Sequence, residues 1–557
     1  MTHALHITLA QINPIVGDLP FNLDKIRKVR DAAPANADLI VFPEMAVCGY
    51  PPEDLVLKPF FIDKVEESIA RLTEESKKHK SLLLIPCPWR KNEKIYNAVH
   101  LIGGGKIQDT VFKNHLPNYG VFDELRVFQP GPLPSPVEVK GHKLGVMICE
   151  DMWFADAAAH LKKKGAEILI SINASPYEVS KNAQRLTKAR DRIDETGLPL
   201  IYLNQCGGQD ELVFDGASFV LNESGQLILQ AEEFAEDIHH TVWERTGSAH
   251  WLCATDTVHP VHDETEAIYQ ALVTGLRDYV SKNGFPGVIF GMSGGIDSAL
   301  TAALAVDALG REAVRCVMMP SKFTSRDSLE DAEECARILG IRYDVISIES
   351  AVASFEKELA PFFSNDTPAT THENIQPRCR GLILMALSNA TGKMVLSTGN
   401  KSEMAVGYAT LYGDMCGGFN VLKDIYKTQV YQLANWRNEN KPGHGRGPAG
   451  LVIPERIITK APTAELKPNQ TDQDTLPPYD ELDKILACLI EKDYSLETIV
   501  GKGHKRETVQ RVWRMLDSAE YKRRQAPPGV KITSRAFGRD RRYPIVNHFM
   551  KIVEESR

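Results

Sequence analysis

Residues 287–309 read "GVIFGMSGGIDSALTAALAVDAL". An apolar run of strand length passes through a small, polar turn and straight into an apolar helical run. Two parallel strands need a crossover between them, usually a helix, and sheets built that way are covered on both faces. The chain that follows keeps the same alternation. Strands are predicted near 287–291, 314–319, 343–348 and 394–398, with helices at 298–309, 327–339 and 379–391. This predicts a doubly wound parallel sheet whose ligands bind beyond the strand C-termini.

The chain has 557 residues, which suggests two or more domains. Its first half has its own alternation. "ALHITLAQI", "ADLIVFPE", "SLLLIPCP", "KLGVMIC", "EILISIN" and "PLIYLNQ" read as strands, several of them buried on both faces. "NAVHLIGGGKIQDTVFK" reads as a hairpin turning at Gly103–Gly105. Helices are predicted near 155–165 and 180–195. The expected division is an α/β domain over 1–240, a linker over 241–262 and a second domain over 263–557, with a Pro-rich loop around 461–479. From Lys502 to Tyr543 there are 13 Lys or Arg against 4 Asp or Glu, net +9. That tail is either a solvated surface or a clamp for a polyanion.

Composition excludes several classes. The formal net charge of −8 argues against a nucleic-acid coat or an anionic membrane surface as partner. No apolar stretch is long enough to span a bilayer. The start, "MTHALHITLAQINP", reads as a strand and not a signal peptide. Ten scattered cysteines without a CxxC pair favour reduced thiols and a cytoplasmic setting.

The turn at 291–298 has a definite chemistry. A helix start exposes unpaired N–H groups that favour an anion. Gly294 and Gly295 allow close backbone approach to phosphate oxygens, Ser293 and Ser298 add hydroxyls, and Asp297 can hold a Mg²⁺ that bridges phosphates. The pattern GxxxxGK[ST] is absent, so γ-phosphoryl transfer is not implied. Two other patterns carry less. "GRGPAG" at 445–450 fits GxGxxG but follows a helix and contains Pro448, which makes it a loop. His250, Cys253, His259 and His262 are metal-ligating types, but their spacing matches no common finger, and they read as a linker.

In the first half Glu44, Lys113 and Cys149 each follow a predicted strand. A cysteine nucleophile needs a base, and its tetrahedral intermediate needs a cationic or N–H donor. Glu44 and Lys113 can supply these if the three strand ends converge.

This set resembles the nitrilase, or carbon–nitrogen hydrolase, superfamily. "SGGIDS" resembles the pyrophosphate loop of ATP-dependent adenylating, amide-forming synthetases. Together, and with "SINASPYEVSK", "HENIQPRCRG", "LSTGNKSEMAVGYATLYGDMCGGFNVLKDIYKTQVY" and "YKRRQAPPGVKITSRAFGRDRRYP", the chain resembles the glutamine-dependent NAD⁺ synthetases. The resemblance implies a nitrilase-like α-β-β-α sandwich followed by a doubly wound ATP-pyrophosphatase domain. It makes Glu44 the general base, Lys113 the oxyanion stabiliser, Cys149 the nucleophile and Glu124 a supporting acid. It assigns glutamine to Tyr119, Ser175 and Lys181. It assigns ATP to Gly291, Met292, Ser293, Gly294, Gly295, Ile296, Asp297, Ser298 and Thr398. Deamido-NAD⁺ falls to Asn374, Glu403 and Lys522, and Mg²⁺ to Asp297 and Glu403. It further implies a homo-oligomer whose partners are glutamine, ATP and deamido-NAD⁺, and a sheltered passage that delivers ammonia.

Overall fold

The computed structural model describes residues 4–245, 250–468 and 470–549. The chain divides into two units, Met1–His262 and Asp263–Arg557.

The first unit is built on two seven-stranded sheets. One runs in the order Trp251–Cys253, Asp237–Arg245, Leu5–Gln11, Leu39–Val41, Leu82–Lys91, Lys94–Gly103, Lys106–Phe112. The other runs Thr257–Val258, Leu227–Gln230, Phe219–Leu221, Leu200–Asn204, Ile168–Asn173, His142–Ile148, Val137–Val139. Alternate side chains on a strand point to opposite faces, and here both faces are buried. Leu39, Val41, Leu84, Val146, Ile148 and Ile170 form the core between the sheets. Their neighbours Ile40, Leu83 and Ile85 join the layer under the helices Leu19–Ala32 and Pro59–Glu75. Met147, Leu169 and Leu200 join the layer under Ala155–Lys163 and Lys181–Thr196. Helix, sheet, sheet, helix is therefore the layer order, and it explains why these strands read as unbroken apolar runs.

The residues expected to form a linker include strands of these sheets. Asp237–Arg245 pairs antiparallel with Leu5–Gln11, and Trp243 and Trp251 are buried in the core between the sheets. Most of the segment's other described residues are exposed, Leu252, Val258 and Val261 among them, so its apolar periodicity is weak in the sequence.

The second unit has five parallel strands in the order Arg342–Val345, Val314–Met318, Val288–Gly291, Met394–Ser397, Phe419–Asn420. The strand order reverses between Val288–Gly291 and Met394–Ser397, and a crevice opens at such a switch point. The helix Ile296–Leu309 packs against Glu264–Lys282 and Lys427–Glu439. The buried Asp307 joins all three, accepting from Tyr269 Oη at 2.7 Å and from Arg437 Nε at 2.6 Å. The helices Tyr479–Ile490, Leu496–Gly501 and Arg506–Ser518 share a separate apolar cluster.

Many cations of the basic tail have acidic partners close by. Arg523 and Arg541 pair with Glu520, Lys531 with Asp540 and Arg535 with Asp493.

Two candidate active sites

The first site lies at three strand ends. Lys113 directly follows Lys106–Phe112, Cys149 directly follows His142–Ile148, and Glu44 follows Leu39–Val41 by three residues. Lys113 Nζ donates to Glu44 Oε1 at 2.8 Å and to Glu124 Oε1 at 2.9 Å. Asn97 Nδ2 donates to the same Glu44 oxygen at 2.7 Å, and the Ala174 N–H to its other oxygen at 2.9 Å. Tyr50 Oη donates to Glu124 Oε1 at 2.8 Å. All of these side chains are buried.

Cys149 opens a short 3-10 turn with φ +46°, a left-handed conformation that costs a non-glycine residue roughly 1–3 kcal/mol. Asp151 holds it there. Its Oδ2 accepts from the Ile148 N–H at 3.1 Å, and its Oδ1 accepts from the N–H groups of Asn114 and His115 at 3.0 and 2.8 Å. The residue after the lysine and the residue before the cysteine thus hang on one carboxylate.

Burial, and then the Glu44 carboxylate, push the Cys149 thiol well above its ordinary range, against the pull of Lys113. Burial works against charge on Lys113, but Glu124 and Glu44 hold its ammonium protonated well above the usual range. Burial raises Glu124 to about 7, with Lys113 opposing and Glu44 adding to the rise.

Around this centre, Tyr119 Oη donates to Glu150 Oε2 at 3.1 Å and Lys181 Nζ lies 4.6 Å from the centre of the Trp153 ring. Ser175 is buried, and its Oγ accepts from Arg185 Nε at 3.2 Å. Arg185 also donates to both oxygens of Asp215, at 2.8 and 2.7 Å. Breaking a buried pair leaves an uncompensated charge. Arg185→Ala is therefore expected to destabilise the first unit by about 3–5 kcal/mol, read as a lower denaturant midpoint in equilibrium unfolding.

The second site is a cavity of about 280 Å³ at the switch point of the parallel sheet. Gly291 to Ser298, Thr398 and Glu403 all line it. Gly295 caps the helix Ile296–Leu309. Ser298 Oγ accepts from the Ser293 N–H at 3.2 Å and donates to the Gly295 carbonyl at 2.9 Å, while Ser293 Oγ accepts from the Gly295 N–H at 3.2 Å. Gly294 has φ +77°, and a Cβ there would stand 2.3 Å from the Ser328 carbonyl oxygen, so no other residue fits without displacing backbone.

Asp297 and Glu403 converge on one ammonium, that of Lys427. Lys427 Nζ pairs with Asp297 Oδ2 and lies 3.2 Å from Glu403 Oε1. Asn400 Nδ2 donates to the other Asp297 oxygen at 2.9 Å. Burial raises the Glu403 carboxyl to about 8, Lys427 opposes this and Asp297 adds to it. Two carboxylates that already share one cation, with Asp472 on the same cavity wall, form an all-oxygen donor set suited to a hard divalent ion.

Asn374 and Lys522 are not among the residues lining the cavity. They reach its wall through the segment 407–410. Lys522 Nζ donates to the carbonyls of Gly407 and Ala409 at 2.8 and 2.7 Å, and Asn374 Oδ1 accepts from Thr410 Oγ1 at 2.9 Å. Residues 461–466 of the Pro-rich loop supply another wall. Within it Glu465 Oε1 accepts from Ser328 Oγ at 2.8 Å, and Lys460 Nζ donates to Ser328 Oγ at 2.6 Å.

Asn97, Tyr50, Asp151, Arg185, Asn400 and Lys427 were not singled out from the sequence. Lys427 sits in "KDIYKTQVY", where its place at the start of a helix was the available signal. The 445–450 segment is a loop, anchored where the Gly447 N–H donates to Asp307 Oδ1 at 3.2 Å. His250, Cys253 and His262 have separate partners in Glu223, the Thr255 carbonyl and Glu233.

Comparison with known proteins agrees with this division. Residues 6–242 match the carbon-nitrogen hydrolase family and residues 268–526 match NAD synthase. A glutamine-dependent NAD(+) synthetase of Rhodobacter capsulatus is 48% identical over 99% of both chains. One from Acinetobacter baylyi is 45% identical over 97% of this chain and 98% of its own. The structure of glutamine-dependent NAD+ synthetase from Acinetobacter baumannii, solved with ADP, superposes with a TM-score of 0.77 at 44% identity, covering 98% and 99% of the two chains. The fold and sites thus define a carbon–nitrogen hydrolase unit joined to an NAD synthase unit. The chain belongs to the glutamine-dependent NAD(+) synthetase family. No helix among the described residues is long and apolar enough to cross a membrane.

Proposed function

We propose that the first unit hydrolyses glutamine to glutamate and ammonia, and that the second activates the carboxylate of deamido-NAD⁺ with ATP and amidates it to NAD⁺. The observation that carries this reading is the pairing, in one chain, of a buried Glu44–Lys113–Cys149 centre with a phosphate turn at a parallel-sheet switch point.

In the first unit Glu44 takes the Cys149 proton as sulfur attacks the glutamine carboxamide carbon. The Lys113 ammonium faces the oxygen that gains charge. When the C–N bond breaks, the Glu44 proton passes to the departing nitrogen and ammonia leaves a thioester. Water, deprotonated by Glu44, then releases glutamate and returns the proton to sulfur. Tyr119, Ser175 and Lys181 hold the amino-acid end of glutamine in this reading, with Arg185 fixing Ser175.

In the second unit the nicotinate carboxylate attacks the α-phosphate of ATP. An acyl-adenylate forms and pyrophosphate leaves. The turn at residues 293–298 faces the phosphates at the start of the helix Ile296–Leu309, and Lys427 supplies a buried positive charge beside it. Asp297 and Glu403 would hold a Mg²⁺, which would supply charge neutralisation for the pyrophosphate leaving group. Ammonia then attacks the acyl carbon, and AMP leaves as the amide forms.

Incubation with ATP, Mg²⁺, deamido-NAD⁺ and glutamine is expected to give NAD⁺, AMP and pyrophosphate in equal amounts. Pyrophosphate release triggered by a different carboxylate, and not by deamido-NAD⁺, overturns the substrate assignment.

Lys522 bears on that substrate. An ammonium has three donors, and two of those on Lys522 hold the carbonyls of Gly407 and Ala409. Lys522→Ala is expected to raise the KM for deamido-NAD⁺ by about ten- to a hundred-fold, the worth of a charge-assisted hydrogen bond, with that for glutamine unchanged. A common rise for ATP, glutamine and deamido-NAD⁺ makes the residue a brace only.

A further inference from the structure

We infer a third site, for a divalent ion of the zinc class, formed by Asp237, His239 and His259, none of which takes part in either reaction centre. Asp237 and His239 are two residues apart on the strand Asp237–Arg245 and so share a face. That strand belongs to the first sheet, where His239 stands opposite Leu9. His259 directly follows Thr257–Val258, which pairs with Leu227–Gln230 in the second sheet, and its N–H donates to the Gln230 carbonyl at 3.0 Å. The two sheets therefore deliver three ligating side chains to one point.

The distances suit an ion after small torsional adjustment. His239 Nε2 is 2.7 Å from Asp237 Oδ2, His259 Nε2 is 4.0 Å from the same oxygen, and all three ligand atoms lie within 4.8 Å of one another. Zinc bonds of about 2.0–2.1 Å place tetrahedral ligands roughly 3.3–3.5 Å apart. The His239 ring must withdraw from Asp237 by under about 1 Å and the His259 ring close by up to about 1.5 Å. The His259 side chain is 40% exposed and has room to do so.

One further feature prepares the site. The Glu232 N–H donates to Asp237 Oδ2 at 3.0 Å, an outer hydrogen bond of the kind that orients a ligating carboxylate. Two imidazoles and one carboxylate favour zinc, cobalt or nickel over magnesium or calcium. Water fills the fourth position. On binding, the His239–Asp237 hydrogen bond is exchanged for metal bonds. The ion braces the end of the first unit by tying one sheet to the other.

The test uses the full chain, stripped with a chelator and titrated with Zn²⁺ and, separately, Co²⁺. One equivalent of Zn²⁺ is expected to bind, to raise the melting temperature and to persist in Cys149→Ala and in excess Mg²⁺. Co²⁺ is expected to give the intense visible bands of four-coordinate geometry. His259→Gln is expected to weaken Zn²⁺ binding by at least tenfold and to remove its thermal effect. The exposed side chain makes an unfolded variant no explanation, and His239→Gln must lose the same equivalent. Unchanged Zn²⁺ affinity in both variants, or no stoichiometric binding to the unaltered chain, reduces the cluster to a hydrogen-bonded surface pair and overturns the site.

Discussion

Replacing Cys149 with alanine is expected to cut glutamine-dependent NAD⁺ formation by on the order of 10⁴-fold or more, the scale of losing a covalent nucleophile. Synthesis from added ammonium salts is expected to continue. The structure gives the reason for so large an effect. Burial holds the Cys149 thiol well above its ordinary range, so in the proposed mechanism the proton passes to Glu44 as sulfur attacks. The fold survives, because Lys113 keeps both carboxylate partners. Parallel measurements with the two nitrogen sources decide the matter. Equal loss with both would mean that the division of labour between the units is wrong.

Asp297→Asn should fail with either nitrogen source, by at least about 100-fold in kcat. The substitution keeps the shape and the Asn400 contact but removes the charge proposed to hold a divalent ion against the phosphates. It also leaves Lys427 with Glu403 as its remaining carboxylate partner in the site. Glutaminase turnover measured alone should persist, because Asp297 belongs to the other unit. Full activity at ordinary Mg²⁺ concentrations would sink the metal assignment.

The parallel sheet and its glycine turn were legible because local pattern and fold agree there. An apolar strand, a glycine turn and an apolar helix leave few arrangements, and the residues from Gly291 to Ser298 line the cavity at the sheet's switch point. The segment after residue 240 was harder to read. Trp243 and Trp251 are buried, but the side chains between them meet solvent or lie outside the described residues. Buried polar residues such as Asn97 and Arg185 were illegible for another reason. One interrupts an apolar strand, and the other lies on a helix whose sequence, "KNAQRLTKARDRIDET", reads as surface. Only the third dimension brings Asn97 to Glu44 and Arg185 to Asp215. The Pro-rich loop was placed correctly as a loop, but nothing in its composition says that residues 461–466 wall a cavity.

The double burial of the first unit's strands has a consequence of parity. Odd and even positions of Leu39–Val41 and His142–Ile148 belong to different interiors, one between the sheets and one beneath helices. A slip of one residue along either strand would exchange the two sets and shift whatever follows by about 3.3 Å. Cys149 comes one position after such a strand and Glu44 three. Their meeting is thus fixed by counting along each strand before any side chain touches another. Insertions that a surface loop absorbs would here unseat the chemistry and both interiors together.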